Sequence, residues 1–153
     1  MRETPAMTNS GLRLLSVLTL VATCGCSALD NCPDSRDPIT IDRPDATDKV
    51  NWIFESSAGW EAFDEFPAKT ELRFKHDLGV PVVVQSYLAF TAQASNGAGG
   101  GSFTEAAGNE VAFECIDSHW IVIKNDTCER SFFVKVVAVG KPDADMTVDK
   151  CGP

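Results

Sequence analysis

The sequence predicts an all-β fold, an antiparallel β-sandwich of six to seven strands behind an N-terminal signal peptide and a polar tether. Strand-like segments recur along the chain, and short turns rich in Asp, Ser, Gly and Asn separate most of them. The 3.6-residue periodicity of amphipathic helices is almost absent. A chain of 153 residues with 44% hydrophobic content is long enough to form one such domain.

A first edge strand is expected around residues 39–42. The later predicted strands are VNWIFE (50–55), ELRFKH (71–76), VPVVVQSYLAFTA (80–92), EVAFECI (110–116), HWIVIKN (119–125) and SFFVKVVAV (131–139). Apolar and polar residues alternate in several of them, as in a strand with one buried face. The even-numbered residues of VPVVVQSYLAFTA form one predicted face, interrupted by Ser86. Its apolar members are Val82, Val84, Leu88 and Phe90.

The segment GWEAFDEF (59–66) differs from the strand pattern. Its aromatic residues Trp60, Phe63 and Phe66 recur at a spacing of three, which predicts one helical or 3₁₀ turn at an end of the sandwich. Aromatic residues in a connection can cover the core or form a ligand-binding platform. The sequence favours a core lid, with a binding role for these three residues as the alternative.

The N-terminus is typical of an export signal. Two arginines precede the apolar run LLSVLTLVA (14–22), and small residues follow it. A transmembrane helix needs about 20 apolar residues, so this run is too short to be one. We therefore predict a signal peptide over residues 1–25, an acidic, proline-containing tether with the first edge strand over 26–48, and the sandwich domain over 49–153.

Three cleavage sites are consistent with this signal, namely before Cys24, before Cys26 or after Ala28. The region resembles bacterial lipoprotein signals, in which a small residue precedes a cysteine that becomes acylated. A cut before Cys26 leaves an even number of further cysteines, which can pair completely. They are Cys32, Cys115, Cys128 and Cys151. We predict Cys26 as the lipid anchor, with Cys24 as the alternative residue and plain secretion as the competing outcome.

The four later cysteines are expected to form two disulfides in an oxidising compartment. They are too dispersed for a zinc knuckle, and the chain contains no C-x-x-C pair. Four cysteines allow three connectivities. We prefer Cys115–Cys128 together with Cys32–Cys151, because the first pair brackets a strand and the second lies near the ends of the domain.

The excess of acidic over basic residues limits the classes of partner that the chain is expected to bind. The formal net charge is -9, with a sequence pI near 4.6. Nucleic-acid binding and electrostatic docking on anionic lipid both need clustered Lys and Arg, so neither is expected. The glycine-rich segment 95–103 lacks the lysine of phosphate-binding loops and is expected to be a connector.

We expect no catalytic role, no metal and no cofactor. The histidines, His76 and His119, lie at strand margins and are expected at the surface or in turns. Neither occurs in a recognisable hydrolase motif. Asp143, Asp145 and Asp149 alternate like the start of a calcium loop, but the central glycine and the closing glutamate of such a loop are missing.

Three stretches within residues 70–140 carry a family resemblance. They are LRFKHDLGVPVVVQSYLAF, AAGNEVAFECIDSHWIVIKNDT and FFVKVV. This order resembles uncharacterised lipoproteins of soil bacteria and the sandwiches of H-type lectins and phage tail fibres. The resemblance implies a six-stranded sandwich that is often trimeric and, in the lectins, a sugar site. No sugar-contacting residue can be matched, and the glycine-rich insertion and the added cysteines depart from the lectins.

Together these patterns predict an exported, lipid-anchored protein of the cell envelope that acts as a non-catalytic binding or structural module. Ser27, and not Asp, follows Cys26, which by resemblance to bacterial sorting rules favours the outer membrane over inner-membrane retention. Secretion or a periplasmic location is the alternative. The expected partners are the membrane, through the anchor, and a glycan or an envelope protein; a homo-oligomer is compatible with the resemblance. A lectin-like module and a secreted hydrolase are the alternative functions.

Overall fold

The computed structural model describes residue 32 and residues 34–60, 62–92, 102–128 and 130–152. Within these residues the strands are β1 (Ile39–Ile41), β2 (Thr47–Asp48), β3 (Ile53–Glu55), β4 (Asp64–Phe66), β5 (Glu71–Lys75), β6 (Val83–Ala89), β7 (Phe103–Glu105), β8 (Ala112–Ile116), β9 (Trp120–Lys124) and β10 (Phe132–Val139). A single 3₁₀ turn, Pro44–Ala46, precedes β2. In the same residues no helix is long and apolar enough to cross a membrane. The predicted signal peptide and the candidate anchors Cys24 and Cys26 lie outside the described residues.

The strands form two sheets. The four-stranded sheet has the order β1-β5-β9-β8, and the six-stranded sheet has the order β2-β3-β10-β6-β7, with β4 also paired to β10. The predicted all-β sandwich is thereby confirmed. The sheets are not purely antiparallel as expected, because β1 runs parallel to β5 with Ile39 opposite Leu72.

The core lies between the two sheets and follows the period-two alternation of the strands. On the four-stranded sheet, Leu72 lies opposite Ile123 and Phe74 opposite Ile121, and all four side chains are fully buried. The inner face of β10 contributes the buried residues Val134, Val136 and Ala138. Burial of a side chain of this size stabilises the fold by about 1.5–3 kcal/mol, so these inner faces fix the register of the central strands.

The helical turn predicted over residues 59–66 is wrong. Residues 64–66 form β4, which pairs with the first part of β10, and β3 pairs with the last part of the same edge. β3 and β4 therefore lie along the same side of β10, and the pairing with β10 is interrupted after Ser56, whose N–H still donates to the Val136 carbonyl. The chain leaves the sheet there and returns to it.

The predicted apolar face of β6 is shorter than expected. Val82 and Phe90 are 57% and 71% exposed, because β6 spans only Val83–Ala89. Ser86, which interrupts the face in the sequence, is buried and donates its hydroxyl proton to the Ala106 carbonyl at 2.5 Å. The hydrogen bond offsets the cost of burying a hydroxyl group.

Both predicted disulfide pairs are wrong, although the predicted oxidation of the four cysteines is confirmed. Cys115 bonds to Cys151, with their Cα atoms 5.8 Å apart. Cys32 and Cys128 are the other disulfide-bonded cysteines. Cys151 reaches β8 because the C-terminal segment, residues 145–152, packs beside the β8–β9 turn, where the Ser118 N–H donates to the Val148 carbonyl.

The carboxylate of Asp117 holds this C-terminal segment. Its Oδ1 accepts the N–H groups of His119 and Trp120, both at 2.8 Å, and its Oδ2 accepts those of Lys150 and Cys151, both at 2.7 Å. Burial acts to raise the pKa of Asp117, but the four N–H donors lower it below the usual value for an aspartate. One buried carboxylate thus joins the β8–β9 turn to the C-terminal segment.

An Asp117→Asn substitution should release the C-terminal segment and lower the free energy of unfolding by about 2–4 kcal/mol. The amide group would present N–H donors where the native oxygen accepts two backbone N–H groups. Urea unfolding measures the loss, and hydrogen exchange of the Lys150 and Cys151 amides reports the local release. Asp143→Asn, at an exposed position, is the control. Equal stability and equal exchange in the two variants would contradict the assigned role.

Candidate functional site

The structure brings Trp60 and Phe63, but not Phe66, into an aromatic cluster on the outer face of the six-stranded sheet. Trp60 stacks on Phe103 with ring centroids 4.8 Å apart and meets the Tyr87 ring edge-on at 4.9 Å. Phe63 and Phe66 are buried, so of the three predicted residues only the half-buried Trp60 offers surface to a ligand. Trp60 therefore forms a lid over the outer face of the six-stranded sheet and not over the core between the sheets.

Beneath this lid lies Lys135, a residue that was not predicted. Its side chain is fully buried. The ammonium group donates to Glu55 Oε2 at 3.0 Å, to the Ser57 carbonyl at 2.7 Å and to the Gly59 carbonyl. It also lies 4.8 Å from the centroid of the Trp60 ring, a cation–π contact. The sequence signal was a lysine in the middle of the apolar strand SFFVKVVAV.

The contacts of Lys135 explain why the strand pairing along this side of β10 is interrupted. A buried ammonium group destabilises a fold unless acceptors replace its hydration shell. Residues 57–60 leave the sheet at the level of Lys135 and supply two carbonyl acceptors and the indole ring. All three ammonium protons have acceptors, so the group is arranged for structure and not for proton transfer.

Ser118 and His119 come together like the nucleophile and base of a hydrolase, but Asp117 accepts the backbone N–H of His119 and does not orient its ring. Ser118 Oγ lies 2.8 Å from His119 Nδ1. However, Ser118 is fully buried, and the same oxygen donates to the Val148 carbonyl. A nucleophilic serine needs a hydroxyl that faces substrate and passes its proton to a base. These contacts instead hold the C-terminal segment.

The same region contains a group with the residue types of a metal site. One ligand atom from each of Asp117, His119 and Asp149 lies within 4.8 Å of the others. The carboxylate of Asp117 already accepts four N–H groups, which fills its lone-pair positions. Two candidate ligands remain, fewer than the three or four that zinc sites supply. Asp145, from the predicted calcium-like pattern, accepts the hydroxyl and the N–H of Thr147 instead.

His76 is not at the surface as expected, because it is 1% exposed. Its Nδ1 accepts the Leu78 N–H at 3.3 Å, and its ring lies 5.8 Å from that of Phe54. Its Nε2 has no partner in normal hydrogen-bond geometry within the described part of the chain. Burial lowers the pKa of His76, while the Trp120 carbonyl and the Asp117 carboxylate act in the opposite direction.

An acidic cavity of 560 Å³ lies between the 3₁₀ turn and β3. Most of its charged side chains are already paired within the chain. Asp42 accepts from Lys75, Arg43 binds Asp64 through two nitrogens, and Glu55 binds Lys135. The cavity therefore has few charges available for a ligand.

A second cavity, of 720 Å³, opens beside β6, β7 and β10 and is hereafter called the β6–β10 cavity. Its apolar wall includes Leu88, Phe90 and Phe132, and its charged lining includes Glu110 and Arg130. Ligand-binding pockets typically have volumes of about 300–1,000 Å³ and apolar walls with a few polar groups. By these criteria it is the better candidate binding site of the two cavities.

The chain matches no protein-family model, no curated protein and no solved structure. The resemblance to bacterial lipoproteins and H-type lectins stays a prediction.

A Lys135→Met substitution should lower the free energy of unfolding by about 2–3 kcal/mol. Methionine fills the same space but leaves Glu55 and two carbonyl groups without their donor. Urea unfolding followed by tryptophan fluorescence measures the change, and Trp60 itself reports the loss of the cation. Lys141→Met, at an exposed position, is the matched control. If both variants unfold at the same urea concentration, Lys135 does not have the role assigned to it.

The stability of the domain should fall as the pH drops below about 6.5, the ordinary histidine value. Burial lowers the pKa of His76 in the folded state. As the pH falls, the histidine of the unfolded chain therefore binds a proton before that of the folded chain does, and this protonation favours unfolding. Above that pH both states are neutral at this position, and the effect disappears. Urea unfolding at about pH 7.5, 6.5 and 5.5 tests the slope. His76→Gln should have a smaller slope; an unchanged slope would assign the pH dependence to another group.

Proposed function

We propose that this chain is an exported, lipid-anchored module of the cell envelope that binds or holds a partner and catalyses no reaction. The observation that carries the proposal is the oxidised state of the four cysteines after Cys26, including the Cys115–Cys151 bond. Disulfides persist in oxidising compartments outside the cytoplasm. These four cysteines are disulfide-bonded. After a cut that follows Gly25, Cys26 is therefore the cysteine that is left for acylation.

The non-catalytic part of the proposal is supported by how the polar residues are used. Asp117 and Ser118 hydrogen-bond to the C-terminal segment, and Lys135 is surrounded by acceptors. The binding part is supported by the β6–β10 cavity, whose apolar wall exposes the ring of Phe90 to solvent. A lectin-like role for Trp60 has less support, because its indole already contacts Phe103 and Lys135.

The lipid anchor supplies the attachment to the membrane. Each methylene of an acyl chain that enters the bilayer stabilises the bound state by about 0.8 kcal/mol, and more than one chain is needed for stable anchoring. Ser27 after the anchor favours transfer to the outer membrane, by the sorting rule that the sequence resembles.

Intact mass spectrometry of the protein from membranes tests the anchor. We expect a chain that begins at an acylated Cys26 and gains about 2 Da per disulfide, for two disulfides, when it is reduced. A Cys26→Ser variant should lose the acyl mass and leave the membrane fraction, whereas the matched variant Cys24→Ser should keep both. An unmodified chain that begins at Leu29 would overturn the proposal.

A further inference from the structure

An aromatic side chain in the wall of the β6–β10 cavity, that of Phe90, is exposed to solvent. Phe90 is 71% exposed and lines the cavity. Its ring lies 5.8 Å from that of the buried Phe132, and Leu88 extends the same apolar wall. An exposed apolar patch beside a cavity gains free energy when an apolar group covers it.

Two charged side chains of opposite sign line the same cavity and form no ion pair with another described residue. Arg130 and Glu110 line it, and in the described part of the chain neither side chain takes part in an ion pair. Glu105 also lines the cavity, but its carboxylate accepts from Gln85 at 3.4 Å, which is on the other face of the sheet. One cation and one anion are therefore available beside the apolar wall.

We propose that the β6–β10 cavity binds a hydrophobic amino acid as a zwitterion. A guanidinium group presents two parallel N–H donors that match a carboxylate, so Arg130 binds the ligand carboxylate. Glu110 accepts from the ligand ammonium group. The apolar side chain of the ligand packs against Phe90, Phe132 and Leu88. This assignment rests on the proposed binding role but not on the lipid anchor.

Isothermal titration calorimetry of the mature, disulfide-bonded chain with L-phenylalanine tests the proposal. Three analogues each remove one element of recognition: 3-phenylpropionate lacks the ammonium group, 2-phenylethylamine lacks the carboxylate and glycine lacks the apolar side chain. We expect each analogue to bind at least about tenfold more weakly than L-phenylalanine. Absence of measurable phenylalanine binding at millimolar concentration would overturn the proposal, as would an analogue that binds equally well.

Two substitutions test the roles of Arg130 and Glu110 in ligand binding. Arg130→Gln should weaken phenylalanine binding by about tenfold to a hundredfold and leave 2-phenylethylamine binding unchanged. Glu110→Gln should weaken phenylalanine binding but leave 3-phenylpropionate binding unchanged. Arg36→Gln and Glu114→Gln, exposed residues outside the cavity, are the matched controls.

Wild-type affinity in either cavity variant would overturn the assignment of that residue. Since the anchor is measured separately by mass, failure of binding in an acylated protein would overturn this proposal and leave the anchor in place.

Discussion

The burial of one charge, that of Lys135, determines much of the six-stranded sheet. Lys135 lies in the middle of β10, the strand that pairs with β3, β4 and β6. An ammonium group with no exposed surface needs acceptors in place of water. The chain supplies them by leaving the sheet after Ser56, so that the carbonyl groups of residues 57 and 59 and the ring of Trp60 surround the cation. The interruption between β3 and β4 and the aromatic lid both follow from this requirement.

The sequence predicted those parts of the fold that depend on local pattern. Leu72 and Phe74 on β5 alternate with polar residues, and this alternation alone identifies a half-buried strand. The segment 59–66 could not be identified in this way, because its conformation depends on Lys135, which is distant in the chain. The spacing of its aromatic residues imitated a helical turn. Oxidation of the cysteines followed from their number, but the pairing of Cys115 depends on the path of the C-terminal segment, which no local pattern contains.

Residue type alone also gave little information about the candidate site. Asp117, Ser118 and His119 have the side chains of a hydrolase, and with Asp149 the side chains of a metal site. The hydrogen bonds that these side chains already form indicate a structural role and not one of these functions. The carboxylate of Asp117 accepts four N–H groups, and the hydroxyl of Ser118 donates to a carbonyl. Little capacity is left for a substrate or an ion, so the same residues that suggest chemistry instead hold the C-terminal segment.

The β6–β10 cavity differs from these regions because two of its charged side chains, Arg130 and Glu110, form no ion pair with another described residue. Exposed charges such as Arg130 and Glu110 are solvated by water, so the lack of a partner at either one costs little and by itself means little. The two charges indicate the chemistry of a ligand only because they lie beside the apolar wall. Water cannot solvate the exposed ring of Phe90 favourably, and a ligand that covers the ring must also satisfy, or avoid, the two adjacent charges. A zwitterion with an apolar side chain meets both conditions, whereas a purely apolar molecule would desolvate the charges without compensation.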